Sequence, residues 1–209
     1  MKLKPTLSEA RQNAPRRVAK EVLGGDYVSI EIGERFEIQE DIEKNETSIF
    51  CKVELNTANT GSHVTVKGTG TGPIHALFTT VKKELMSEYN SLDRIRFSEF
   101  AVNAELGRRP NYVLDASGSS APVEAILVVT NERDQDFIFR NKSKSMNKAA
   151  INVVLQAVEH FINSEKAVVR LRDYVKDASK RNRGDLVDRY VRQLSELVKN
   201  TSYEKVLQK

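Results

Sequence analysis

Gly68-Thr-Gly-Thr-Gly-Pro-Ile-His-Ala-Leu-Phe78 is the stretch around which the 209-residue chain is organised. A β-like run over 63–67 leads into it, and an amphipathic helical run from Pro73 to about Glu88 follows it. The glycines allow a sharp turn and a close approach to a ligand or another chain. Proline is favoured at the first helical position, so the helix should begin at Pro73. Such a helix start attracts carboxylate or phosphate, although a purely structural turn fits the same residues equally well.

The composition is that of a globular chain with a core. Hydrophobic residues make up 39% and charged residues 30%, and the formal net charge is +4. No apolar run approaches the roughly 20 residues of a membrane span, and the N-terminus lacks the apolar segment of a signal peptide. The single Cys51 excludes an internal disulfide or a Cys-based zinc site and favours a cytoplasmic location.

Hydrophobic periodicity indicates a repeat. Ile49, Cys51, Val53 and Leu55 fall on one face of a strand, within a region of period two over 26–67. After the central helix the order recurs, with strands over 95–104, 123–130 and 136–140 and a helix over 146–163. We therefore predict an α+β fold, with two βββα units related by a pseudo-twofold and with helical N- and C-terminal extensions.

The predicted division has three parts. Residues 1–33 form a helical N-terminal arm that should break at Ala14-Pro15, 34–164 hold the two repeats (34–90 and 91–164), and 165–209 form a helical C-terminal extension. Basic residues dominate the polar side of this extension. They indicate either a solvated helix face or a helical hairpin that docks on an acidic partner.

The sequence contains no recognisable catalytic constellation, so we predict no catalytic residues, cofactor or metal. His63, His75 and His160 stand apart, without a metal-binding pair or a nucleophile–base arrangement. Asp115–Ser120 is either a ligand loop or a surface linker, and Arg108-Arg109 should be exposed. The strands are apolar and tryptophan is absent, which does not favour nucleic acid as a partner.

Gly70-Thr-Gly-Pro-Ile-His-Ala-Leu-Phe78 resembles a G-N-G-P-V-D-A type loop. That loop opens the first helix of a repeated βββα unit in the C-terminal allosteric (dimerisation) domain of 2-isopropylmalate synthase and citramalate synthase. The segments 97–103, 121–129 and 147–163 are similar to the strands and helix that follow it in that family. The likeness runs from about Phe36 to Asn163.

The resemblance implies a regulatory domain of branched-chain amino-acid biosynthesis. In that family the domain is a homodimer that binds leucine or isoleucine at its interface, and another small carboxylate is an alternative ligand here. The ligand-binding positions that the resemblance implies are Gly70, Thr71, Gly72, Pro73, His75, Ala76, Ser143 and Ser145. His75 and Ala149 stand where the family has Asp, so a zwitterionic amino acid would lose partners for its ammonium group and a more anionic ligand would gain them.

The catalytic part of that family is a TIM barrel with a metal-binding His pair, and it precedes this domain. Only residues 1–33 precede the repeats here, so the resemblance implies a stand-alone regulatory homologue or an excised piece. Two alternatives stay open. The chain could be an accessory subunit that completes a separately encoded 2-isopropylmalate synthase-type acyltransferase. It could instead be a scaffold whose basic tail binds an acidic protein or nucleic acid.

Overall fold

The computed structural model describes residues 8–104 and 122–203. Helix α1 (Ser8–Leu23) comes first. A first unit follows, with β1 (Ser29–Asp41), β2 (Glu46–Asn56), β3 (Gly61–Gly70) and α2 (Pro73–Leu85). The second unit has β4 (Ile95–Ala104), β5 (Val123–Asn131), β6 (Asp136–Ser143) and α3 (Met146–Lys180), and α4 (Gly184–Leu197) ends the series. The predicted α+β fold of two βββα units with helical extensions is confirmed. The predicted loop over 105–121, with Arg108-Arg109 and Asp115–Ser120, lies outside the described residues.

Each unit forms its own three-stranded antiparallel sheet, with β2 or β5 in the middle. On β2, Ile49, Cys51, Val53 and Leu55 are buried and alternate with more exposed neighbours, which confirms the predicted inward face. The first strand of each unit shifts its pairing register once, between Ile32 and Phe36 in β1 and between Phe97 and Glu99 in β4. The two repeats therefore share an irregularity as well as an order of elements.

The helices close both sheets into one core. Helix α2 packs on the first sheet, α3 packs on the second, and the two helices contact each other. Leu77 and Val81 of α2 join Val154 and Phe161 of α3 in a single cluster of buried side chains. Because the apolar faces of both units meet there, the repeats form one body, with their helix starts close to the junction between them. In the part of the chain that the structure describes, no helix has the length and apolar character needed to span a membrane.

Two helix boundaries differ from the prediction. Helix α1 runs through Pro15, so the predicted break at Ala14-Pro15 is wrong. Proline removes one helical hydrogen bond, but Pro15 is buried and α1 packs along α3, which offsets that loss. The helix that we expected to end near Asn163 continues to Lys180. Residues 164–180 contain neither glycine nor proline, and Val168 and Leu171 continue the buried side.

The terminal extensions pack on each other and on the repeats. Val18 and Leu23 of α1 lie in a second buried cluster with Val168 and Leu171 of α3 and with Leu197 of α4. A polar contact joins α3 to the start of the first sheet. The side chain of Asn163 accepts a hydrogen bond from Val28 N at 2.8 Å and donates one to Val28 O at 2.8 Å. This pairing holds the start of β1 against α3.

Candidate functional site

Two of the three glycines in the central stretch are required by packing. A Cβ at Gly68 would lie 1.8 Å from Oγ1 of the buried Thr80, and a Cβ at Gly70 would lie 2.9 Å from the backbone nitrogen of Ala76. Both glycines therefore let β3 lie directly against α2. Gly72 differs, because a Cβ there would meet nothing within 4 Å. Of these glycines, Gly72 alone faces open space.

The entry of α2 is the first predicted site. Gly72 is the residue before the helix, Pro73 is the first helical residue, and Ala76 N donates to Gly72 O at 2.9 Å. Thr71 and His75 are exposed, whereas Ala76 is fully buried and can offer a ligand no side-chain contact. The first turn contains no acidic residue. This entry presents N–H groups and the positive end of the helix dipole.

The entry of α3 holds the other predicted residues. Ser145 Oγ accepts a hydrogen bond from Lys148 N at 3.3 Å, and Ser143 Oγ accepts one from Ser145 N at 3.2 Å. Both serines thus stabilise the start of the helix. A serine that precedes a helical run is a standard capping signal, so this role could have been predicted from the sequence. The first turn of α3 also lacks an acidic residue.

Both helix entries border one cleft of about 80 Å³ at the junction of the two units. We call it the apolar cleft, and its lining includes Phe36, Ile38, Ile74, Phe100, Val102 and Ile151. It also touches Pro73 and Met146, which are the first residues of α2 and α3. Matching elements of the two repeats therefore contribute matching parts of its wall.

The strand residues of the apolar cleft were not predicted as a site. Phe36 and Ile38 lie two residues apart on β1, and Phe100 and Val102 have the same spacing on β4. This shared Phe-x-aliphatic pattern was the available signal, but alternation alone indicates only a strand. Pro73 is the one predicted site residue in the cleft lining. The other predicted residues lie at or near the two helix entries.

A larger polar groove of about 1120 Å³ adjoins the apolar cleft. It runs between the edge strand β1 and the first turns of α3, and it shares Phe36, Ile38 and Ile151 with the cleft. We call it the β1–α3 groove. Its charged lining residues are Arg16, Glu31, Glu34, Lys148 and Glu159. An apolar recess thus opens beside charged groups of both signs, which suits a small molecule with an aliphatic end and a polar end.

The remaining chemistry-bearing residues have structural surroundings. Cys51 is buried in the core, and burial raises the pKa of its thiol to about 11, so it stays protonated at neutral pH. His63 and His75 are exposed and His160 is buried. Across residues 8–104 and 122–203, no group of three or more His, Cys, Asp or Glu side chains has the arrangement of a metal site.

Several cations of the basic extension are paired within the chain. Arg170 meets Asp26 at 2.6 Å, Arg189 meets Glu21 at 2.7 Å, and Arg183 meets Asp185 at 2.8 Å. These pairs lie between the extension and the N-terminal region or within the extension itself. They reduce the positive potential available to an acidic partner.

Comparison of the chain with models of known protein families and with curated proteins finds no match. The geometry of the apolar cleft and its two helix entries is therefore the basis for assigning a function.

Proposed function

We propose that this chain is a non-catalytic regulatory domain that binds a small amino acid or carboxylate at the apolar cleft. One observation carries the proposal, namely that two helix entries from the two repeats border one apolar recess. The proposal agrees with the resemblance to the leucine-sensing domain of 2-isopropylmalate synthase. It assigns the protein to branched-chain amino-acid biosynthesis, in the cytoplasm, where a free buried thiol such as Cys51 is usual.

The ligand would lie with its aliphatic end in the apolar cleft. A cleft of about 80 Å³ would accept a short branched side chain. The carboxylate would meet N–H groups in the first turns of α2 and α3, other than Lys148 N, which already donates to Ser145 Oγ. Lys148 adds positive charge on the groove side, and Glu31 and Glu34 could accept an ammonium group. Leucine, isoleucine and simpler carboxylates would each find partners at this site.

We propose that a second copy of the chain covers this site. Met146 is 55% exposed, and Phe36, Ile38, Phe100 and Val102 are only half-buried around the cleft. An apolar surface of this kind, at the junction of two matching units, suits the isologous contact of a homodimer. Ligand bound at that contact would change the geometry of the pair and so act on a catalytic synthase, whether fused or separately encoded.

Thermal unfolding of the purified chain tests the proposal. We expect leucine, isoleucine or one of several 2-oxo and dicarboxylic acids to raise the unfolding temperature. A ligand at a hundred times its Kd adds about 2.7 kcal/mol of stability, which is roughly 5–10 °C for a protein of this size. No shift with any compound would contradict the proposal.

A matched pair of variants tests the location. Val102→Phe fills the apolar cleft and should abolish the ligand-induced shift, whereas Val169→Phe on the exposed side of α3 should retain it. If both variants lost the ligand-induced shift, or if both retained it, the ligand would bind elsewhere. Sedimentation analysis of the same samples measures whether the chain is a dimer. Co-purification with a barrel-containing synthase would support the alternative that the chain is an accessory subunit.

A further inference from the structure

The two most exposed large apolar side chains of the described residues are Ile42 and Met146, which are 90% and 55% exposed. Ile42 lies in the turn between β1 and β2. Met146 is the first residue of α3 and lines the apolar cleft, so its exposed part belongs to the rim of the cleft. A single apolar side chain on a surface is common. The significance of this pair therefore depends on the groups that surround each member.

Opposite charges surround the two side chains. Residues 40–46, which we call the hairpin tip, contain one lysine and four carboxylates, namely Glu40, Asp41, Glu43 and Glu46. Residues 141–148, which we call the basic segment, contain no carboxylate and three lysines, namely Lys142, Lys144 and Lys148. Each surface therefore presents an exposed apolar side chain among charges of one predominant sign, and the two signs are complementary.

The hairpin tip is held in shape by its own contacts. The carboxylate of Asp41 accepts a hydrogen bond from Lys44 N at 3.1 Å and pairs with Lys44 Nζ at 3.1 Å. Strand β1 carries Ile38 in the wall of the apolar cleft and ends at Asp41, about 10 Å further along the strand. The tip therefore lies near the cleft, yet Ile42 is too exposed to cover the cleft of its own chain.

We propose that the hairpin tip of a second copy docks on the basic segment and places its Ile42 against Met146, over the mouth of the apolar cleft. Because the tip and the basic segment belong to the same molecule, a two-fold contact forms this pairing twice, once in each direction. Glu43 meets Lys144 there, while the paired apolar side chains lose contact with water. The inference rests on the proposed function, and it names the residue that the second copy contributes to the ligand site.

Dimerisation and ligand binding should reinforce each other in this arrangement. A ligand in the apolar cleft would lie beneath the second copy's Ile42, which would shield its aliphatic end from water. Coupling of this kind is reciprocal, so the ligand should strengthen the dimer by the same factor by which the dimer strengthens ligand binding.

Cysteine cross-linking tests the contact directly. The full chain with Ile42→Cys is mixed with the full chain with Met146→Cys, and a mild oxidant is added. We expect a covalent dimer that contains both chains, because the disulfide requires two Cβ atoms within about 3.5–4.5 Å. The buried Cys51 should not react. A mixture of Ile42→Cys with Val169→Cys is the control, since Val169 lies on the exposed side of α3. No cross-link in the first mixture, or equal cross-linking in both, would overturn the inference.

Sedimentation equilibrium measures the energetic part of the contact. Ile42→Ser should raise the dissociation constant of the dimer about tenfold or more, because an isoleucine is lost from each of two contacts. Val169→Ser should leave it unchanged. Glu43→Lys and Lys144→Glu should each weaken the dimer about threefold or more, and the double variant should recover most of that loss. Equal dissociation constants for Ile42→Ser and Val169→Ser, or no recovery in the double variant, would overturn the inference.

The same samples separate this inference from the proposed function. If the wild-type chain is monomeric but leucine or another small carboxylate still raises its unfolding temperature, the inference is overturned and the proposed ligand site stands. If the Ile42 contact is found but no compound raises the unfolding temperature, the proposed ligand binding is contradicted and the contact between copies stands.

Discussion

Replacing Gly68 by alanine should destabilise the protein strongly, although the change adds only one methyl group. The new Cβ would lie 1.8 Å from Thr80 Oγ1 and 2.9 Å from Thr80 Cβ. Thr80 is 7% exposed and lies on the buried side of α2, so it cannot swing into solvent. Strand β3 and helix α2 would have to move apart. Overpacking of this kind costs about 1–3 kcal/mol, and the severity of the contact places Gly68→Ala near the upper end.

The net loss of stability in Gly68→Ala is smaller than the cost of the clash. Reduced freedom of the unfolded chain returns about 0.4–1 kcal/mol in a Gly→Ala change, so the net loss should be about 2 kcal/mol. Urea unfolding measures it, and the unfolding temperature should fall by roughly 4–8 °C. Thr80→Ala in the Gly68→Ala background should restore part of the stability, because it removes the hydroxyl but leaves the contact with Cβ.

The control is Gly72→Ala, where a Cβ meets nothing within 4 Å. This variant should stay within about 1 kcal/mol of the wild type, since it adds no clash and loses only a helix-capping preference. If Gly68→Ala were as stable as Gly72→Ala, the close approach of β3 to α2 would not be the reason that position 68 requires glycine.

Three further predictions concern capping, a buried amide and pH. Gly72→Ser should raise the free energy of unfolding in urea by up to about 1 kcal/mol, because serine caps α2 slightly better than glycine and leaves the unfolded chain less free; a loss of stability would contradict this. Asn163→Leu should cost about 2–4 kcal/mol in the same assay, because it leaves both backbone groups of Val28 without their partner, and a loss below 1 kcal/mol would refute the role of that pairing. Burial, and then the Arg16 cation, lower the pKa of His160 to about 4, so the unfolded chain binds its proton first as pH falls. Stability should therefore decline by up to about 3 kcal/mol between pH 6.5 and pH 4, and His160→Phe should lose most of that decline when unfolding is followed across this range.

Elements with strong periodicity were predictable from the sequence. The β4 strand has the predicted bounds, Ile95–Ala104, and α2 begins at Pro73 as expected. Both follow from local rules, since alternation marks the strand and proline marks the first helical turn. Pro15 shows the limit of such rules. Its effect on α1 depends on burial against α3, a contact that neighbouring residues do not encode.

The candidate site could be predicted only in part. Pro73 was placed at a helix start by a local rule, whereas Ser145 was assigned to the site only through the resemblance. Phe36 and Phe100 were not predicted, because their meeting at one cleft depends on how the two units pack. Gly70 was assigned to the site because its segment resembles the family's ligand-binding loop. The structure gives Gly70 a packing role, because a Cβ there would collide with the backbone of Ala76. Packing alone therefore explains why residue 70 is glycine.

The most direct test of the central claim is methyl NMR of the isoleucine side chains during a titration with leucine, isoleucine, the 2-oxo acid analogue of leucine, and succinate. Ile38, Ile74 and Ile151 line the apolar cleft, whereas Ile126 lies in a separate cluster on the second sheet. The account predicts saturable shifts at the three cleft isoleucines with at least one compound, and none at Ile126. No shift at the cleft with any compound, or shifts centred on another part of the protein, would contradict it.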